Sequence, residues 1–189
     1  PPRSTLFPYT TLFRSEVILE GPCGIRIIPA TSGVSEYANL DNNEKSILQT
    51  SLSALPEHDF LIVDTSAGIS SNVVYFNSMS EDIFVVITPD PASITDSYAM
   101  IKVLSRKTGR KDFNIIVNMV KEEKEALEIY KKVLGVTDRF LDVYLHYFGF
   151  IPLDRHINMA TRKQRLWVEY FPDSSATRAL AQICDRLVS

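Results

Sequence analysis

Cysteine is nearly missing from this chain of 189 residues: only Cys23 and Cys184 occur, far apart and without metal-ligand spacing. That excludes a disulfide framework and a zinc site, and it suits a reducing, cytoplasmic setting in which both are small buried apolar residues. Charge of one sign is lacking too. The formal net charge of -3 gives no long-range pull toward phosphate backbones or anionic lipid, so no specific nucleic-acid partner is expected. No run reaches the roughly 18 uninterrupted apolar residues of a membrane span. Histidine is scarce, and His58, His146 and His156 share no ligand spacing, which leaves them solvated or packing roles. With 45% hydrophobic residues, the chain can still bury one sizeable core.

The first residues stand apart from the rest. The segment 5–15, TLFPYTTLFRS, has aromatics without helix or strand period, and it matches the in-frame translation of a common short-read sequencing adapter throughout. Residues 1–15 are therefore expected to be an artefactual segment with no part in the fold, and natural sequence is expected to begin near Glu16.

From Glu16 onward short apolar runs alternate with helical patterns, the mark of a parallel sheet covered by helices. Strands are expected over Ile25–Ala30, Asp59–Asp64, Ile83–Thr88, Phe113–Asn118 and Tyr144–Ile151. Helices are expected over Asn43–Leu55, with Ile47, Leu48, Leu52 and Leu55 on one face, and over Ser93–Lys107, Lys121–Arg139, Asp154–Lys163 and Ser174–Val188. The run Lys121–Glu125 reads as a solvated helical face, and Tyr144, Tyr147, Phe148, Phe150 and Trp167 as packing residues. Ala176, Leu180, Ile183 and Leu187 make the last helix suited to docking on the sheet. No repeat, linker or boundary is evident, so 16–189 reads as one piece of an α/β domain.

Ligands of open α/β sheets sit at the C-terminal ends of the strands, and chemistry-bearing residues gather at those ends here. Leu61–Ile69 is a buried-type strand ending in Asp64, with Gly68 four residues on. A carboxylate there can reach a magnesium ion, and a glycine lets backbone approach a terminal phosphate. Taken alone, the pattern equally fits an aspartate capping the next helix. Ser93 or Thr95 is expected to cap the helix after Thr88. Asn118 offers donor and acceptor to the edge of a base, or caps a loop. Pro152 holds a rigid turn against a base, or simply precedes a helix capped by Asp154.

The succession VDTSAGIS, ITPDPASITDSYAMIKVL, IIVNMV and GFIPLD resembles the MinD/ParA family. Within it, LEGPCGIRIIPATSG at 19–33 and QRLWVEYFPDSSATRALAQI at 164–183 resemble the FlhG/FleN-type regulators of flagellar number and placement. The resemblance covers essentially everything after Glu16. It implies an α/β, P-loop NTPase-like fold with a mostly parallel sheet flanked by helices, and a switch ATPase that dimerises around two ATP molecules. It implies cytoplasmic localisation with peripheral association at the inner face of the membrane, and work beside the flagellar GTPase FlhF and flagellar assembly components. It also implies that Asp64 holds Mg2+, Gly68 contacts the γ-phosphate, Asn118 and the Pro152–Asp154 turn flank adenine, and Asp96 lies near the dimer interface.

One departure is as informative as the match. A phosphate-binding loop needs G-x-x-x-x-G-K-[ST], yet no glycine here is followed by lysine. The acidic segment that positions the attacking water in this family is absent as well. The first strand, the P-loop and the first helix are expected upstream of Glu16, so this chain alone is expected to be inactive and to bind neither ATP nor Mg2+ tightly. Two other readings stay open: a partition-type ParA ATPase, and a non-hydrolytic interaction module that keeps the fold as a partner surface.

Overall fold

The computed structural model describes residues 18–29 and 41–188. Two compact units make up the chain, one running to Ser66 with Ser70–Asn72, the other formed by Ala67–Ile69 and Val73 onward. The expected artefactual segment, 1–15, lies outside the described residues.

In the first unit, β1 (Leu19–Glu20) and β2 (Arg26–Ile27) form a short antiparallel hairpin with Leu19 opposite Ile27. The chain reverses through a single 3-10 turn at Pro22–Gly24, where Cys23 and Gly24 take left-handed backbone angles of 57° and 79°. The Gly21 amide donates to the Ile25 carbonyl at 2.7 Å to close the loop. The strand expected over Ile25–Ala30 is thus shorter, and Ala30 lies outside the described residues. Helix α1 (Asn42–Ser53) opens with a capping box: Asp41 accepts from the Glu44 amide, and Glu44 accepts from the Asp41 amide, both at 2.8 Å. Its expected apolar residues Ile47, Leu48 and Leu52, with Leu55 just beyond, are half-buried.

The strand expected over Asp59–Asp64 does not form; these residues carry no regular structure, and Ile62 is 82% exposed. The physical reason is that an apolar run states a need for burial and says nothing of a neighbour. A strand requires a ladder partner for its amides and carbonyls. Within this unit, the described residues hold one ladder, β1 with β2.

The second unit is built around a parallel sheet of order β3 (Phe84–Ile87), β4 (Asp112–Val120), β5 (Tyr144–Pro152). Its side chains alternate as a pleated strand requires: Phe113, Ile115 and Val117 of β4 are fully buried on one face. There they form one core with Ile87, with Ile101 and Leu104 of α3 (Pro91–Thr108), and with Ala126, Ile129 and Val133 of α4 (Glu123–Phe140). Each of the larger of these buried side chains contributes about 1.5–3 kcal/mol, and Ala126 less. Ahead of β3 in the chain comes α2 (Ser71–Met79), a helix whose sequence SNVVYFNSM shows no clear period.

After β5 come α5 (Arg155–Arg162), the short α6 (Trp167–Tyr170) and α7 (Ser175–Leu187). Gly149 of β5 pairs with Ile116, so it faces away from the α3–α4 layer. At that face α7 docks, with Ala176, Ala179 and Ile183 buried and Leu180 and Leu187 half-buried. The sheet is therefore flanked by helices on both sides. A Cβ added at Gly149 would stand 2.9 Å from Ile183 Cγ1, and its φ of +155° is one that side chains rarely adopt. Glycine is what lets helix and strand approach this closely.

Both thiols are exposed, contrary to the buried placement their type suggests. Of the aromatics expected to pack, Tyr147 and Phe150 join the core margin and Phe148 meets Phe84 edge-on with ring centroids 4.8 Å apart, whereas Tyr144 is exposed.

Two glycines give opposite expected outcomes in urea unfolding. Gly149→Ala is expected to cost about 1–3 kcal/mol by overpacking against Ile183. Gly135→Ala, inside α4 with open space where the Cβ goes, is expected to gain up to about 1 kcal/mol. Equal effects at the two positions would contradict the described docking of α7.

Candidate functional site

At its C-terminal end the sheet is irregular. Between Asn118 and Val120 the pairing with β5 shifts, so Met119 is extruded as a bulge with φ of 62°. Bulges of this kind re-aim neighbouring side chains at sites. The Asn118 carboxamide oxygen accepts from the Met119 amide at 2.8 Å, which orients the side chain and leaves the amide nitrogen as its donor. On the next strand Asn118 faces Ile151, and Val120 faces Pro152. The Leu153 amide then donates to the Val120 carbonyl at 2.7 Å, extending the link between β4 and β5 into the turn after β5. The C-terminal end of the sheet thus holds Asn118 one pairing step before Pro152.

Asp154 follows, and its carboxylate points into the protein. The side chain is only 5% exposed. One oxygen accepts from the His156 amide at 2.9 Å and from His156 Nδ1 at 2.7 Å. The other accepts from Ser175 Oγ at 2.7 Å and from the Ala176 amide at 3.1 Å. Burial alone raises this carboxyl's pKa; the bonds from Ser175, the two amides and the His156 ring outweigh it and hold the group well below the usual carboxylate range. Asp154 therefore caps α5, one of the two readings its sequence position left open, and also ties α5 to the first turn of α7. Ser174 independently caps α7 through the Thr177 amide at 3.2 Å. His156 is packed as well as bonded, its ring centroid 4.5 Å from that of Phe171.

Beside this junction lies an open cleft of about 570 Å³, lined by Leu153, Arg155, His156, Ser175 and Arg178 among others. It sits where α5 and α7 both begin.

After β3, the chain turns through Thr88–Asp90 into α3. Asp90, not Ser93 or Thr95, caps this helix, accepting from the Ala92 amide at 2.8 Å, because Pro91 occupies the first helical position. Ser93 instead accepts from the Thr88 amide at 3.0 Å, closing the strand–helix turn, and Thr95 donates to the Pro91 carbonyl. Asp96 is exposed in the second turn of α3. Gly68 is exposed in a bend with φ of +93°, an angle that favours glycine. Asp64, in the other unit, is exposed.

Sequence reasoning missed Ser175 and Ala176, which complete the Asp154 junction. The string PDSSA at 172–176 was the available signal, but it shows a helix start and not what reaches it from outside. Met119 was missed as well, since a methionine after an apolar run gives no sign of a left-handed bulge.

No protein-family model matches the chain. It is 39% identical over 175 residues to the antiactivator FleN of Pseudomonas aeruginosa, covering 92% of this chain and 62% of FleN. It is 30% identical over 183 residues to the flagellum site-determining protein YlxH of Helicobacter pylori, covering 92% of this chain and 59% of YlxH. The chain thus spans less than two thirds of the length of these relatives. Its fold is similar to that of the MinD cell division protein of Aquifex aeolicus, with a TM-score of 0.67 at 18% identity over 90% of this chain and 68% of that one. Among the described residues, no helix is long and apolar enough to cross a membrane.

The junction makes stability depend on pH in a stated direction. Because the folded pKa of Asp154 is depressed, its contribution is present above its unfolded pKa of about 4 and is lost as pH falls through the folded value. The stability difference between wild type and Asp154→Asn, measured by urea unfolding, is therefore expected to be open at about pH 6 and to narrow toward about pH 2.5. A constant difference across that range would contradict the assignment.

Proposed function

Because the chain belongs to the MinD/ParA family and is of the FlhG/FleN type, we propose that it is the switch portion of an ATPase that dimerises with ATP and sets flagellar number and placement. The observation that carries this reading is the 39% identity to FleN, in a chain whose parallel sheet ends with Asn118 paired to Ile151, directly before Pro152.

What supports a base at this end of the sheet is the chemistry of the residues there. Asn118 presents a fixed carboxamide at the end of β4, and the Pro152–Leu153 turn is pinned to that strand through the Val120 carbonyl. A planar ring edge needs such a donor and a rigid backbone wall, the roles proposed for Asn118 and the Pro152–Leu153 turn. Asp64 supplies one carboxylate toward Mg2+, an ion held through one or two carboxylates plus the nucleotide's own phosphates. Gly68, with its left-handed backbone, supplies a close approach to the terminal phosphate. Asp96 lies at the face that meets a second copy.

When bound, ATP supplies the phosphoryl bond whose hydrolysis resets the switch. The residues of this chain orient the base and the metal; the triphosphate needs a loop of successive backbone amides ending in a G-K-[ST] lysine, and no glycine of this sequence is followed by lysine. Alone, then, the chain binds MgATP poorly and does not hydrolyse it. In the whole protein, the proposed partners are a second copy, the flagellar GTPase FlhF and the inner face of the cell membrane.

Calorimetric titration of this chain with MgATP is expected to show no micromolar binding, while the full-length protein binds and hydrolyses ATP. Asp64→Ala in the full-length protein is expected to lose most of the hydrolysis with an unchanged circular dichroism spectrum, since transition-state electrostatics carry this reaction. Near-normal turnover in the folded variant, or micromolar binding by this chain, would overturn the assignment.

A further inference from the structure

Resting on the nucleotide reading above, we propose that Asp154 is a positioning residue. It clamps the base-flanking turn after β5 to the start of α7, so that the C-terminal helix sets the affinity for the base.

A carboxylate has about four lone-pair positions, and Asp154 uses all of them: two on the His156 amide and ring, two on Ser175 Oγ and the Ala176 amide. With its side chain 5% exposed, it has no acceptor left to offer a ligand. Its influence on a base beside Pro152 must therefore pass through the backbone of the turn. That turn is pinned on its upstream side, where the Leu153 amide meets the Val120 carbonyl of β4 at 2.7 Å. On its downstream side the carboxylate is the pin, and the element it holds is α7.

Capping α5 does not require this second connection. The His156 amide needs one oxygen, and Ser174 already caps α7. The second oxygen joins residues 21 and 22 positions apart, a purely tertiary link. α7 is itself seated on β5, where Ile183 closes on Gly149. The constraints form a closed ring from β5 through the turn to Asp154, on to α7 and back to β5. A displacement of α7 must strain either the Gly149 contact or the turn, and the turn is the softer of the two. Whatever engages α7 thereby reaches the base.

The test uses the full-length protein with two ligands, ATP and inorganic tripolyphosphate, which carries the phosphates without the base. Asp154→Asn keeps an oxygen for the α5 cap but turns an NH2 toward the Ser175 hydroxyl and the Ala176 amide, so the α7 side of the clamp opens. Its dissociation constant for ATP is expected to rise about tenfold, as for loss of a charged hydrogen bond, with tripolyphosphate binding unchanged. Ser175→Ala removes one bond from the other end and is expected to cause a smaller loss of the same selectivity. The double variant is expected to be no weaker than Asp154→Asn, because both act on one link.

Equal losses for the two ligands would show a general structural role and overturn the proposal, as would unchanged ATP affinity in Asp154→Asn. Should Asp154→Asn fail to fold, Ser175→Ala decides by the same comparison, since it leaves three of the four bonds intact. A wild-type protein that binds no ATP overturns the nucleotide reading and this inference together; ATP binding indifferent to the clamp overturns this inference alone.

Discussion

The second unit depends on β4 having nowhere to go. Phe113, Ile115 and Val117 are fully buried against α3 and α4, while β3 and β5 hold its backbone on both edges. Shifting the strand by one residue would turn those three side chains to the opposite face and bring the Asn114 and Asn118 side chains into an apolar core, which is costly for unpaired amides. The register is therefore strongly specified. Because Asn118 is the last regular residue of that strand, a predominantly apolar core fixes the position of a polar group at its rim.

Precision at the rim is then added by polar contacts that contribute little to the core. The Met119 bulge orients Asn118, the Leu153 amide carries the β4 ladder into the next turn, and the Asp154 carboxylate binds the far side of that turn to α7. This division is physically sensible. Burial is strong but nondirectional, whereas a charge-assisted hydrogen bond in a partly desolvated place is directional. On the proposed reading, the first holds the sheet and the second aims the base turn.

Much of this was legible in the residues. The runs at 83–88, 113–118 and 144–151 became β3, β4 and β5 within two residues at either end, since strands buried by helices on both faces need nearly continuous apolar sequence. Asn118 and Pro152 were visible because each polar or rigid residue directly ends such a run. Three things were not legible, for different reasons. The run at 59–64 looks the same as its neighbours, but partner availability is not written in a segment's own residues. Helix α2 has no period to read, because Asn72, Asn77 and Ser78 interrupt its apolar face. The Asp154–Ser175 link joins positions that only the docking of α7 brings together; from the sequence each looked like half of an ordinary helix start.

On the proposed reading, the C-terminal ends of β4 and β5 form a base-binding edge. Transferred nuclear Overhauser effects from the adenine H2 and H8 protons, measured on the full-length protein with MgATP, test it without relying on activity. The account predicts contacts to Asn118 and to the Pro152–Leu153 turn, and none to Lys111 or Tyr144 at the opposite end of the same strands. Adenine contacts that cluster at that opposite end, or away from the sheet altogether, would contradict it.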